Sequence, residues 1–470
     1  MITRENPARI DEVVGTVEVS TPHRVDQVVH LAHAAYRTWS RRSVVARVGA
    51  LLTAANELEP QLDEWATLMA RETGKPRPDC RGELGFAVAL LRWTASRAES
   101  ACAAEDSDDA QGRLRIRKAP YGVVAAITPW NAPVILAMLK LAPALATGNA
   151  VVVKPSPLAP FTLAALCDVL AKHAPVFVVQ GGAETGAALV GHPLVRKVAF
   201  TGGDATARAI GSVAAEAITP TVMELGGNDA AILLPDADLS EAAMERLVMA
   251  SFATSGQVCM AAKRLYVHES RRDELIDGYV KAAKRVLVTG DPLTEGVTMG
   301  PVATAAARKR LVVLASAAPQ TVPLGRSVGD LSHGYFLEPQ LALGCGDDDE
   351  LVRAEQFGPV LPVLTYATTD EVIERANDSD LGLGASVWSA DEDHAFDIAA
   401  RLEAGIVFVN THGRTGMGLR VPFGGVKKSG WGREYGDAGL EEYLQLQSIH
   451  APGPFRRGGA GGGAASYPST

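Results

Sequence analysis

The chain has 470 residues, 47% of them hydrophobic, and a formal net charge of −9. That length supports large cores and at least two domains. The acidic balance argues against nucleic acid or an anionic membrane as the main partner, while leaving room for a locally positive site that takes an anionic ligand.

Thr21-Pro22 reads as N-cap and first helical position. Val25, Val28, Val29, Ala32, Ala35 and Trp39 follow at helical spacing. Further helices are predicted over 43–58, 61–73 and 82–100, then a charged loop over 105–111 and a half-exposed strand over 114–118. From Tyr121 onward, short β-branched runs at 123–127, 151–153, 176–179 and 198–200 alternate with helical segments at 134–146, 161–172 and 184–191. This alternation predicts a buried parallel sheet with right-handed crossovers and a ligand at the strand C-terminal ends. A strand at 230–233 and a helix at 240–252 lead to Cys259. A second series follows, with strands at 264–267, 361–366, 385–388 and 406–410 and helices from 271, over 370–377 and over 391–404. A strand is predicted at 444–450, and the Gly-, Ala- and Ser-rich tail over 453–470 is predicted to be disordered. There is no GxGxxG, so the Rossmann fingerprint supports no dinucleotide site here.

Cys80, Cys102, Cys167, Cys259 and Cys345 are odd in number and form no CxxC. No disulfide framework or metal site is expected, and a reducing cytoplasm fits. The N-terminus has no apolar signal core. The most apolar stretch, 123–146, is broken by Pro129, Asn131, Pro133, Lys140 and Pro143, which excludes it as a membrane span.

Two stretches carry candidate chemistry. Glu224-Leu225-Gly226-Gly227-Asn228 offers a carboxylate among apolar Val222, Met223 and Leu225, where its pKa is expected to rise until it suits a general base. The two glycines suggest a sharp turn. Ser255-Gly256-Gln257-Val258-Cys259 offers a thiol that backbone N–H groups could bring toward the thiolate. Read singly, a buried structural cysteine and an ion-paired glutamate are the commoner outcomes. Three strand ends add polar groups. Asn131, after Pro129-Trp130, could donate to an oxyanion or serve an Asx turn. Lys154 and Ser156 could reach ribose or phosphate, or sit at a surface loop. Thr201-Gly202-Gly203 offers free N–H groups as a pyrophosphate seat, or is an ordinary turn.

Together, and in this order, these motifs resemble the aldehyde dehydrogenase superfamily. Glu355-Gln356-Phe357-Gly358-Pro359 is similar to its ExFGP element. Asn377 through Leu381-Gly382-Leu383-Gly384 is similar to NxxxYGLxA, and Gly405 through Asn410 to the strand before its C-terminal loop. Pro422 through Glu434 is similar to PFGGxKxSGxGRE. The resemblance spans roughly residues 6–450.

It implies an α/β fold: a parallel Rossmann-like dinucleotide-binding domain (1–102 and 121–225), an α/β catalytic domain (226–432) and a small β oligomerisation element (103–120 and 433–452), assembled as a homodimer or homotetramer. It further implies that the Cys259 thiolate attacks an aldehyde and that Asn131 and the Cys259 N–H hold the oxyanion. NAD or NADP would oxidise the hemithioacetal to a thioester, and water activated by Glu224 would hydrolyse it. Lys140 and Glu434 match positions that assist proton movement. Trp130, Lys154, Ser156, Gly186, Gly202, Gly203, Leu225, Glu355 and Phe357 match cofactor contacts, with Glu355 on the nicotinamide ribose. Four positions depart from the pattern. Pro157 replaces a frequent Glu that favours NAD over NADP, Gly203 a Ser, Ala207 a Gly and Leu381 a Tyr. Two alternatives stay open: a CoA-acylating dehydrogenase, which commonly lacks the Glu224 equivalent, and a silent nucleotide-binding protein on the same fold. Val258 and Met260 suggest an apolar mouth. Arg414 and Arg420, on the 411–420 loop, could meet an anionic tail or solvent.

Overall fold

A computed structural model describes residues 1–453. The tail expected to be disordered lies outside the described residues, except for Gly453.

Two sheets, one parallel at all but one edge and the other at all but its last strand, form the centre. The first has six strands in the order Gly430–Trp431, Thr221–Glu224, Val195–Thr201, Val123–Ile127, Ala150–Lys154 and Val176–Val178. Only the two-residue Gly430–Trp431 strand runs antiparallel, against Met223 and Glu224. The second has seven strands: Gln320–Pro323, Gln340–Leu343, Val360–Tyr366, Ala262–His268, Asp229–Leu233, Gly384–Trp388 and Ile406–Val409. Here only the outer Gln320–Pro323 strand is antiparallel. Strands Val123–Ile127, Ala150–Lys154 and Gly384–Trp388 are buried at every residue. This is why they read as unbroken apolar runs rather than alternating ones. Four residues, 225–228, carry the chain from one sheet to the other, so Glu224 ends the first sheet and Asp229 begins the second.

The Pro22–Trp39 helix starts as its sequence predicts. Thr21 Oγ1 accepts from the Arg24 N–H at 3.2 Å, and Val25, Val28, Val29 and Ala32 turn inward. Helices Val44–Leu58, Leu62–Thr73 and Arg77–Ala101 pack with Pro133–Ala146 into the core beneath the first sheet.

Three features differ from expectation. The charged 105–111 segment is not a loop: Glu105–Asp109 is a strand, fully exposed, antiparallel to Gly112–Pro120. Its conformation comes from its neighbour. Asp106 faces Arg115 across the pair and accepts two hydrogen bonds from it, at 2.7 and 3.0 Å. Leu444–Pro452 pairs with the other side of Gly112–Pro120, giving a three-stranded antiparallel sheet. The helix expected over 391–404 ends at Ala399. An N-terminal hairpin, Ile2–Asn6 with Arg9–Val17, has no counterpart in the sequence reading.

Candidate active site

The C-terminal ends of strands Val123–Ile127, Ala150–Lys154 and Val195–Thr201 open into a cleft of about 640 Å³. Trp130, Lys154, Ser156, Pro157, Gly186, Gly202 and Gly203 line it. Lys154 Nζ donates to the carbonyls of Pro155 (3.1 Å) and Gly181 (2.9 Å), and burial pulls its ammonium down to about 8. The Gly202 N–H is not free as expected, because the sheet uses it: it donates to the Glu224 carbonyl at 3.0 Å. Gly203 is the N-cap residue of helix Asp204–Glu216 and has no side chain to offer the first turn, whose Ala205 and Thr206 line the cleft, so that turn has no side-chain cap among the described residues. Leu225, Glu355 and Phe357 lie outside the lining. Leu225 is buried and its N–H donates to Ser429. Phe357, at φ 50°, sets its ring edge-on to Trp130 at 5.9 Å, at the margin of the cleft. Volume, glycine-rich walls, a helix N-terminus and a buried ammonium together fit a dinucleotide.

Cys259 sits at the end of a strained turn. Thr254 (φ 55°), Ser255 (φ 58°) and Gly256 (φ 70°) are consecutively left-handed. Surrounding bonds hold them there: Ser255 Oγ donates to the Gly300 carbonyl at 2.7 Å, and the Gln257 side-chain oxygen accepts from the Ala303 N–H at 2.9 Å. Asn131 Nδ2 donates to the Gln257 carbonyl at 2.9 Å, which places that amide against the turn and leaves its second hydrogen for another acceptor. Lys263 Nζ donates to the carbonyls of Val258 (2.8 Å) and Cys259 and pairs with Glu355 at 3.4 Å.

The expected fall in the Cys259 pKa is reversed. Cys259 keeps some exposed surface but lies deep in the protein, and burial pushes its thiol up to about 12. Lys263 opposes that rise, while the charges of Glu355, Asp229 and Glu224 add to it.

Glu224 behaves as expected. It is 2% exposed, and Val222, Met223 and Leu225 are buried beside it. Its carboxyl is raised well above 4.5, first by burial and then by the Glu434 charge, against Lys140 and Arg433. Neither of its oxygens has a hydrogen-bond donor among the described residues. Lys140 Nζ donates to Glu434 Oε1 and to Thr201 Oγ1, both at 2.6 Å. The two glycines after Glu224 serve packing, for neither has positive φ and residues 225–228 form no hydrogen-bonded turn. A Cβ on Gly226 would collide with Glu355 Oε2, and one on Gly227 would stand 2.7 Å from the Cys259 carbonyl oxygen. The ELGG segment and the cysteine turn are therefore in direct contact.

The sequence reading missed Lys263 and the contact of the Thr201 hydroxyl with Lys140. A lysine inside the otherwise buried Ala262–His268 strand is the signal for the first, since a buried ammonium needs partners. The threonine carries no such mark.

A parallel sheet with a dinucleotide-sized cleft at its strand ends, adjoining a buried carboxylate and a thiol, defines a dinucleotide-dependent oxidoreductase. The chain belongs to the aldehyde dehydrogenase family, whose sequence profile, described as "Aldehyde dehydrogenase family", matches residues 1–449. It is similar to the peroxisomal aminoaldehyde dehydrogenase 1 of Pisum sativum, 36% identical over 462 residues, covering 94% of this chain and 91% of that one. It is also similar to the geranial dehydrogenase of Castellaniella defragrans, 37% identical, with 95% and 94% covered. Among solved structures, the NAD+ complex of a Bacillus cereus aldehyde dehydrogenase superposes with a TM-score of 0.90 at 31% identity, covering 96% and 93%. An E. coli NADP-dependent enzyme does so at 0.90 and 32%, covering 96% and 94%. The enzyme is an NAD(P)-dependent aldehyde dehydrogenase. No helix among the described residues is long and apolar enough to cross a membrane.

Proposed function

We propose that the enzyme oxidises an aldehyde to a carboxylic acid by hydrolysing a thioester formed on Cys259. The observation that carries this reading is the Glu224 carboxyl: buried, without a donor on either oxygen among the described residues, and on the ELGG segment that touches the Cys259 turn. The raised Glu224 carboxyl is a stronger base toward water than a solvated carboxylate would be. The sulfur adds to the aldehyde carbon, with the second Asn131 hydrogen and the Cys259 N–H directed at the new oxyanion. The dinucleotide, when bound, supplies the hydride acceptor. Trp130, Lys154, Ser156, Gly186, Gly202 and Gly203 would hold it, with Leu225, Glu355 and Phe357 at its reactive end. Glu224 then takes a proton from water, which attacks the thioester and releases the acid. Lys140 and Glu434 stand beside Glu224 to pass that proton on. In sum, aldehyde, water and NAD(P)+ become acid, NAD(P)H and a proton.

In this reading residues 1–102 and 121–225 form the dinucleotide-binding domain, 226–432 the catalytic domain, and 103–120 with 433–452 the oligomerisation element of a cytoplasmic homodimer or homotetramer. The exposed Leu446 and Ile449 on the Leu444–Pro452 strand support that last assignment.

The mouth suits an uncharged apolar aldehyde. Val258, Met260, Ile135 and Leu136 are half-buried. Arg414 is engaged by Asp79 Oδ1 at 2.9 Å and Glu83 by Lys75, while Asp79 Oδ2 has no hydrogen-bond partner among the described residues, so an amino-aldehyde is the charged class to set against an apolar one. A panel of apolar, amino- and carboxy-aldehydes with NAD+ and NADP+ tests the proposal. Acid formation without CoA supports it, acyl-CoA as the sole product overturns the hydrolytic step, and inactivity on every member favours a silent binding protein.

A further inference from the structure

Behind the Cys259 turn lies a buried constellation that the proposed oxidation does not use. Asp229 opens the Asp229–Leu233 strand at 1% exposure, and neither carboxylate oxygen accepts a hydrogen bond from any of the described residues. A buried carboxylate in that state is strongly disfavoured unless a cation or a proton meets it. His412 is at hand: its Nε2 lies 3.6 Å from Asp229 Oδ2, and both side chains are fully buried. On its other side, His412 Nδ1 lies 2.8 Å from Ser386 Oγ, which also accepts from Trp388 Nε1 at 2.9 Å. With the indole N–H occupying one lone pair, the Ser386 hydroxyl is free to donate to Nδ1. The imidazole proton then sits on Nε2 and faces Asp229. In the imidazolium form Nδ1–H donates to Ser386 Oγ instead, so the serine serves either state.

Both members of the pair abut the cysteine turn. A Cβ on Gly227 would collide with Asp229 Oδ1 and stand 2.7 Å from the Cys259 carbonyl oxygen, while one on Gly413, next to His412, would stand 2.7 Å from the Met260 carbonyl oxygen. Asp229 thus touches the turn through Gly227, and His412 through Gly413. The other ionisable groups around the pair are Cys259 and Glu355, which both feel the Asp229 charge, Lys263, which is paired with Glu355, and, across a small cavity, Arg264, which donates to the Asn228 and Ala376 carbonyls, and Glu403, which is paired with Lys427. On the remaining sides His412 meets the Phe408 ring at 5.8 Å, and the 413–415 turn meets helix Glu241–Phe252. That helix carries Glu241 and Glu245, both paired with Arg285, and the exposed Arg246.

We propose that Asp229 and His412 are a buried positioning pair for the nucleophile: the imidazole compensates the carboxylate behind the Cys259 turn and joins that turn to the 411–420 loop. This rests on Cys259 being the nucleophile, as proposed above. Its consequence is electrostatic, because an uncompensated negative charge behind the sulfur disfavours the thiolate.

The test is the rate of Cys259 alkylation by iodoacetamide at a single neutral pH, below the raised thiol value, in the full-length enzyme, read by peptide mass spectrometry. His412→Gln should slow it about tenfold, and the slowing should vanish in the Asp229→Asn/His412→Gln double variant relative to Asp229→Asn. His412→Asn, which is smaller and keeps an amide toward Ser386, is the second variant with the same expectation should the first not fold. Rates that coincide with wild type, or a slowing that persists undiminished in the Asp229→Asn background, overturn the pair. If alkylated wild-type enzyme still oxidises aldehyde, the nucleophile assignment fails instead, whatever the variants do.

Discussion

Lys140 Nζ lies 2.6 Å from Glu434 Oε1, and neither side chain is more than 2% exposed. The two come from distant parts of the chain, the Pro133–Ala146 helix and the segment after Gly430–Trp431. Their meeting sets a lysine and a second carboxylate beside Glu224, whose carboxyl the Glu434 charge helps to raise.

Removing one partner of such a pair leaves a buried charge without compensation, at a cost of roughly 3–5 kcal/mol. Lys140→Met should therefore lower the denaturation midpoint markedly and slow turnover. Lys140→Met/Glu434→Gln should recover much of the stability without the activity. Denaturant melts and steady-state rates on the three proteins check this; a single variant as stable as wild type would mean the ammonium is not needed there.

The raised Glu224 carboxyl predicts a pH dependence of stability with a definite sign. The folded state holds this proton more tightly than the unfolded chain, whose carboxyl titrates near the ordinary 4.5. Stability from this group is therefore fully present below 4.5 and declines as pH rises toward the folded value. Glu224→Gln should melt increasingly above wild type as pH rises and converge with it in acid. Melting curves from pH 4 to 9 (about that range suffices for a shifted carboxyl) measure the difference, and a constant offset would contradict the burial argument.

The parallel strands are legible in the sequence because burial on both faces writes them as runs such as Val123–Ile127. The polar residues at their ends are legible because strand ends are where such sheets place ligands. Glu105–Asp109 is not legible, since its strand conformation is supplied by Arg115 and its neighbours on the next strand. Gly226 and Gly227 look like turn residues, yet what excludes a side chain there is Glu355 and the Cys259 carbonyl, both remote in sequence. The direction of the Cys259 pKa is not legible for a related reason. Burial by the whole fold outweighs the local turn. Asp229 and His412 show no local pattern at all, and only the second sheet brings them together.

Pro157 lines the dinucleotide cleft beside Lys154 and Ser156 and carries no charge. A carboxylate there would accept from ribose hydroxyls and repel a 2′-phosphate. Pro157→Glu should raise the NAD+ to NADP+ ratio of kcat/KM by roughly tenfold, the effect of one modest charge interaction. Parallel kinetics with the two cofactors check it, and an unchanged ratio would place the adenosine ribose elsewhere.

The most direct test of the thiol–carboxylate pair is a rapid-quench turnover of Glu224→Gln with aldehyde and NAD(P)+, read by absorbance and by intact and peptide mass. Cys259→Ala serves as control. The account predicts about one reduced cofactor per subunit in a burst, slow turnover afterwards by a factor on the order of 10²–10⁴, an acyl group on Cys259, and neither burst nor adduct in Cys259→Ala. Steady turnover at the wild-type rate with Cys259 unmodified, or oxidation that survives in Cys259→Ala, would contradict it.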